Sequence, residues 1–187
     1  MKKVVLLYSI VFLSGLFSLF SCQWQVKKEI YLQLYSVRDD INADYVGTIA
    51  KVADMGFTGV EVVGYDDGKF YDMMPGDFKK SIEEIGMEVL SSHVEKPLSE
   101  PVADTNWDEI WSWWSAAIQA HKDAGMKYLI VPSIPAPNTL EDLQAYCDYF
   151  NQIGEMCQDA GLGFGYHNHQ FEFSEVEGKM ILKTAAR

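Results

Sequence analysis

Hydrophobic and polar positions along this chain fall into a repeating unit. Four times an amphipathic segment closes on an acidic residue, an apolar residue and a glycine, and an apolar run of strand length follows at once. Asp54-Met-Gly56 leads into residues 58–64, Glu84-Ile-Gly86 into 87–93, Asp123-Ala-Gly125 into 126–132, and Asp159-Ala-Gly161 into 162–167. A glycine just past a helix end takes up the left-handed cap at little steric cost, so each acid-x-Gly marks a helix C-terminus. With Tyr31-Leu-Gln-Leu-Tyr35 as an opening strand, the predicted order is β-α-β-α-β-α-β-α-β. Helix starts are predicted at Asn42 or Asp44, at Pro75 with Asp77, between Asp104 and Trp107, and at Asn138 or Thr139 ahead of Glu141 and Asp142. The strand runs are nearly continuous in apolar residues rather than alternating, as suits a parallel sheet covered on both faces.

Five strands and four helices are a little more than half of an eight-fold (β/α) barrel, which takes about 250 residues. Two architectures accommodate them: a five-stranded open sheet complete in itself, or the front of a barrel whose last strands are missing from this sequence. The second is the expected one, an α/β fold of the parallel TIM-barrel type with about five of eight strands. Connections are short and no segment is low in complexity, so residues 30–187 read as one domain. Unpaired edges on the first and fifth strands would favour self-pairing into a homo-oligomer.

The start of the chain has a different polarity. Lys2 and Lys3 precede an apolar run from Val4 to Phe20, the layout of an export signal over residues 1–21. A retained membrane helix would have a run barely long enough to span, interrupted by Ser9, Ser14 and Ser18. Leu19-Phe-Ser-Cys22 resembles the lipobox of bacterial lipoproteins, which implies lipidation of Cys22, a short tether over 22–29 and a periplasmic or cell-envelope location. Membrane contact would then be through the lipid anchor only. Lys2 and Lys3 leave with the signal, so 13 Lys and Arg face 27 Asp and Glu, a net charge of −14 that excludes affinity for nucleic-acid phosphates. Cys147 and Cys157 fall about 15 Å apart along one predicted helix, too far for a disulfide, and are expected as buried free thiols.

The chemistry-bearing residues concentrate in Tyr166-His-Asn-His-Gln-Phe-Glu-Phe173, where a glycine-punctuated apolar strand delivers His167, His169 and Glu172 to one short stretch. In a parallel barrel the carboxyl ends of strands are where active sites are assembled. The blander alternative has His169 and Glu172 capping a loop while His167 bonds a neighbouring backbone.

Four segments together resemble the xylose-isomerase-like TIM barrels, the sugar phosphate isomerases/epimerases, a superfamily with a DNA-repair endonuclease branch. They are Leu32-Gln-Leu-Tyr-Ser-Val-Arg38, Gly56-Phe-Thr-Gly-Val-Glu-Val-Val-Gly-Tyr65, Ser91-Ser-His93 and Gly165-Tyr-His-Asn-His-Gln-Phe-Glu-Phe173. The resemblance implies isomerisation or epimerisation of a keto- or aldo-sugar through an enediolate, assisted by a divalent manganese, zinc or magnesium ion. It implies a metal-ligand position at His167, where many members carry glutamate, with further ligands from later strands. Export and the acidic charge disfavour the DNA-repair branch. A non-catalytic carbohydrate-binding lipoprotein with a degenerate site is the alternative, and no phosphate-binding loop supports a phosphorylated sugar.

Other residues at predicted strand ends extend this set. His93 is either a catalytic or ligand imidazole or a satisfied histidine at the rim. Glu61, a charge inside the apolar run from Val60 to Val63, is a base at the barrel mouth or the partner of Arg38. Tyr35 and Tyr65 could present hydroxyls to a ligand, and Glu172 could bind substrate. Trp107, Trp111 and Trp114 form one helical stripe expected in the core, Trp113 lies off it as a surface for stacking on a sugar ring, and His121 is expected at the solvated surface.

Overall fold

The computed structural model describes residues 28–185. Its centre is one parallel sheet of β1 (Tyr31–Gln33), β2 (Gly59–Val62), β5 (Glu88–His93), β6 (Tyr128–Val131) and β7 (Gly163–Tyr166), hydrogen-bonded in that order. All four pairings are parallel. The five predicted strands are these five. The helices between them are α1 (Arg38–Ala43) and α2 (Tyr45–Asp54), α3 (Pro75–Glu83), α4 (Trp107–Asp123) and α5 (Leu140–Ala160), followed by α6 (Ile181–Ala185). Two short hairpins, β3 (Tyr65–Asp66) with β4 (Lys69–Phe70) and β8 (Glu175–Val176) with β9 (Lys179–Met180), lie outside the main sheet.

The helix boundaries follow from local chemistry. Gly56, Gly86, Gly125 and Gly161 all lie in the left-handed region, with φ between 78° and 94°, where a Cβ would be strained. Asp44 accepts from the Gly47 N–H, Pro75 opens α3, Asn106 accepts from Glu109 N–H, and Thr139 with Asp142 forms a reciprocal capping box. Cys147 and Cys157 lie on α5 as free thiols, Cys157 fully buried and pushed up to about 11 by that burial.

The sheet has two distinct faces, set by the two-residue period of a strand. Val60, Val62 and Val89 point outward into a core with Ile49, Val52, Phe78 and Ile82 from the covering helices. Across the strands Tyr31, Gly59 and Glu88 form one inward row, and Gln33, Glu61 and Ser91 the next. Between these rows the register slips: Val60 pairs with Val89 but Glu61 pairs with Ser91, leaving Leu90 as an unpaired bulge. A second cluster, with Trp114, Leu129, Val131, Tyr149 and Ile153, fills the space under α4 and α5.

His121 corrects the sequence reading. It is fully buried, its Nδ1–H donates to the Ala117 carbonyl at 2.6 Å, and its ring packs on Tyr65 and Phe70. Of the tryptophan stripe, Trp114 is fully buried and donates to Tyr149 Oη, whereas Trp107 at the helix start is 37% exposed. The export signal, Cys22 and most of the tether lie outside the described residues, and no helix among those described is long and apolar enough to cross a membrane.

Candidate active site at the carboxyl ends of the strands

Every strand of the main sheet ends on the same side, and the inward residues there line a cleft of about 750 Å³. Its walls include Gln33, Tyr35, Tyr65, His93, Glu95, Trp113, His167 and His169. Two residues after Ser91, His93 returns to the inward face; two after Gly165, in the row of His93 and Ile130, comes His167. His167 is fixed by its own N–H, which donates to the Val131 carbonyl at 3.0 Å. The ring of His167 lies 5.1 Å from that of His93 and 5.0 Å from that of His169, so three imidazoles line one wall.

Glu61 lies against His93 but is not itself among the residues that line the cleft. Its Oε2 accepts from Ser91 Oγ at 2.6 Å, and its Oε1 is 3.0 Å from His93 Nε2, close but out of line for a good hydrogen bond. The expected alternative partner, Arg38, instead stacks on the Tyr35 ring at 4.3 Å and donates to the Tyr35 carbonyl. His93 holds the Glu61 carboxyl below the usual carboxylate range and the Ser91 hydroxyl acts in the same direction, against the opposing effect of partial burial. Glu61 is therefore ionised at neutral pH, with 22% of its side chain accessible.

The cleft also has an aromatic part. Tyr65 meets Trp113 edge-on at 5.7 Å, and Lys96 Nζ lies 5.9 Å over the Trp113 ring. Tyr35, 56% exposed, stands at the mouth. Glu172 does not reach the cleft. It is 1% exposed, accepting from Tyr166 Oη at 2.5 Å and from the His169 N–H at 2.7 Å, so it holds the loop that presents His169.

Two residues of the site lie within the segments that carry the resemblance but are not singled out there as site residues. Gln33 and Ser91 are polar members of apolar strands, the same signal that singles out Glu61, and the structure sets all three in one row. The expected cation at His167 can be tested against the donor set. A divalent transition metal takes at least three protein donors, and among the described residues no three His, Cys, Asp or Glu side chains are placed to share an ion. The described residues alone do not make up a zinc-type centre.

This fold is a parallel (β/α)-barrel type sheet with its cleft at the carboxyl ends of the strands. The chain belongs to the xylose isomerase-like TIM barrel family, whose model matches residues 49–186. It is similar to a sugar phosphate isomerase/epimerase from Parabacteroides distasonis ATCC 8503, with 28% identity and a TM-score of 0.78 over 88% of this chain and 62% of that one. A second sugar phosphate isomerase/epimerase from the same organism shares 32% identity with a TM-score of 0.75, over 85% of this chain and 64% of its own. The chain thus spans a little under two thirds of the length of either relative. D-psicose 3-epimerase with D-tagatose, from Clostridium cellulolyticum H10, resembles it in fold, at 15% identity and a TM-score of 0.53 over 76% of this chain and 54% of that one. The comparison with curated proteins finds no match.

Proposed function

We propose that this cleft serves isomerisation or epimerisation of a keto- or aldo-sugar by proton transfer beside the carbonyl. The observation that carries the reading is the ionised, partly accessible Glu61 carboxylate beside a wall of three imidazoles. A carbon next to a carbonyl loses its proton to a positioned carboxylate, and the resulting enediolate needs hydrogen-bond donors at its oxygens. Glu61 takes the proton, His93 orients Glu61, and His169 donates to the sugar oxygens or returns the proton. Trp113, Tyr65 and Tyr35 supply the surface against which the sugar ring lies.

Incubation in D2O with a panel of keto- and aldo-sugars, phosphorylated and free, tests this by NMR. Deuterium is expected at the carbon beside the carbonyl of at least one sugar, and Glu61→Gln is expected to abolish its incorporation. Absence of exchange with every sugar would overturn the catalytic reading.

A carbohydrate-binding protein without turnover is the second reading, favoured by the incomplete metal donor set among the described residues. Calorimetric binding of a sugar that undergoes no exchange would establish it. Metal analysis of the purified protein tests the cation separately. One equivalent of manganese, zinc or magnesium, lost in His167→Ala, is the outcome that the sequence resemblance implies.

A further inference from the structure

Gln33 ends β1 with its amide held between two partners. Its Oε1 accepts the Tyr35 N–H at 2.9 Å, and its Nε2 lies 3.1 Å from His93 Nδ1. The first contact decides the second. A backbone N–H can only donate, so the oxygen of the amide belongs on the Tyr35 side and the NH2 group faces the imidazole. An NH2 group also can only donate, so His93 Nδ1 must accept and carries no proton. The single proton of the neutral ring then sits on Nε2, 3.0 Å from Glu61 Oε1. A doubly protonated ring would set N–H against N–H.

We infer that Gln33 is a positioning residue that fixes His93 as the Nε2–H tautomer, leaving Glu61 as the proton acceptor of the pair. This deepens the proton-transfer reading and rests on it only for its catalytic consequence. Three strands take part: Gln33 from β1 and Glu61 from β2 share a row with Ser91 of β5, and His93 comes two residues after Ser91 on the same face. Ser91 donates to the second carboxylate oxygen at 2.6 Å and His93 Nε2 lies beside the first without aligning on it, while neither nitrogen of His93 is free to take up the substrate proton. Without the Gln33 amide only the misaligned Glu61 carboxylate would hold the proton on Nε2, and the Nδ1–H tautomer would become accessible. Replaced by a carboxylate, Gln33 would favour a protonated ring between two acids.

The experiment is long-range proton–nitrogen NMR of the full chain labelled with 15N-histidine. Only four histidines contribute, and the resonance missing in His93→Gln assigns the ring in question. The wild type is expected to show an unprotonated Nδ1 and a protonated Nε2 at neutral pH. Gln33→Leu is expected to mix the tautomers, and Gln33→Glu to protonate both nitrogens. A wild-type ring protonated on Nδ1, or on both nitrogens, overturns the inference even if neither variant folds. So does a Gln33→Leu spectrum identical to the wild type. Where exchange activity is found, Gln33→Leu should lower kcat about 100-fold with KM changed less than about threefold, the signature of misplaced acid–base machinery. The spectra need no turnover, so failure of the sugar reading and failure of the tautomer assignment are separate results.

Discussion

Ser91 stands beside Glu61 because β5 carries one residue more than β2 can pair, and Leu90 is the residue left over. In an unbroken register Leu90 would face Glu61, and Ser91 and His93 would turn outward into the helices, since a one-residue slip reverses every side chain. The Ser91 hydroxyl is thereby placed to hold the Glu61 carboxyl down, so Ser91→Ala should raise the Glu61 pKa. A carboxyl depressed in the fold stabilises it fully above its unfolded value of about 4.3, and that stability is lost as pH falls through the folded value. Carboxyl carbon NMR titration should therefore place the Glu61 transition in Ser91→Ala at higher pH than in the wild type. An unmoved transition would remove Ser91 from the site.

His121 gives the opposite kind of pH dependence. Burial pushes its ring down to about 4, while the hydrogen bond to Ala117 acts weakly the other way. Between about 4 and the unfolded value of about 6.5 the unfolded chain binds the extra proton, so stability rises with pH across this window and is level above it. A shift of that size corresponds to roughly 3 kcal/mol. Urea unfolding at pH 5 and pH 7 is expected to show a larger loss for the wild type than for His121→Leu. Equal losses would mean that His121 is accessible to protons in the folded chain.

Much of the fold is legible in the residues, for the four acid-x-Gly signals fix where helices end and strands begin. The position of His167 and His169 at the end of β7 follows from the same signals. The pairing of Glu61 with Ser91 was not legible, because a bulge is a property of two strands together and Leu90 looks like any apolar strand residue. His121 misleads for a different reason. Its polar neighbours Gln119, Lys122 and Asp123 suggest solvent, yet it continues the stripe of Trp114 and Ile118 at positions i+7 and i+3, and Tyr65 and Phe70 cover it.

Glu172 is expected to act through the fold. Glu172→Ala leaves the half-buried Tyr166 hydroxyl and the N–H of the exposed His169 without this acceptor, at a cost below the roughly 1–3 kcal/mol of a fully buried unpaired donor because water reaches both. Thermal unfolding should show this loss, with Tyr166→Phe markedly milder because it removes only one donor. An unchanged melting temperature in Glu172→Ala would show that the loop is held by other contacts.

Trp113→Ala tests the aromatic wall. Loss of a stacking surface in contact with both ground and transition states raises KM, by about 5- to 30-fold for 1–2 kcal/mol, and leaves kcat nearly constant. Proton exchange measured across sugar concentrations separates the two. A fall in kcat at constant KM would move Trp113 from binding to chemistry.

At the other end of the chain, Lys2, Lys3, the apolar run and Leu19-Phe-Ser-Cys22 lead us to propose export and lipid anchoring at Cys22. Mass spectrometry of the membrane fraction is expected to find a chain that begins at Cys22 and carries acyl groups. An unmodified Cys22, or an intact Met1, would refute the anchor.

The ring of Tyr65 touches Trp113 on one side and the buried His121, at 4.8 Å, on the other. The aromatic wall of the cleft is thereby bolted to the protein core. Its side chains surrender their rotamer freedom when the chain folds, so a ligand arriving there has little of that entropy left to remove. For a weakly apolar, heavily hydrated ligand such as a sugar, which gains little from burial alone, a wall ordered in advance counts for more than a larger one that must first be assembled.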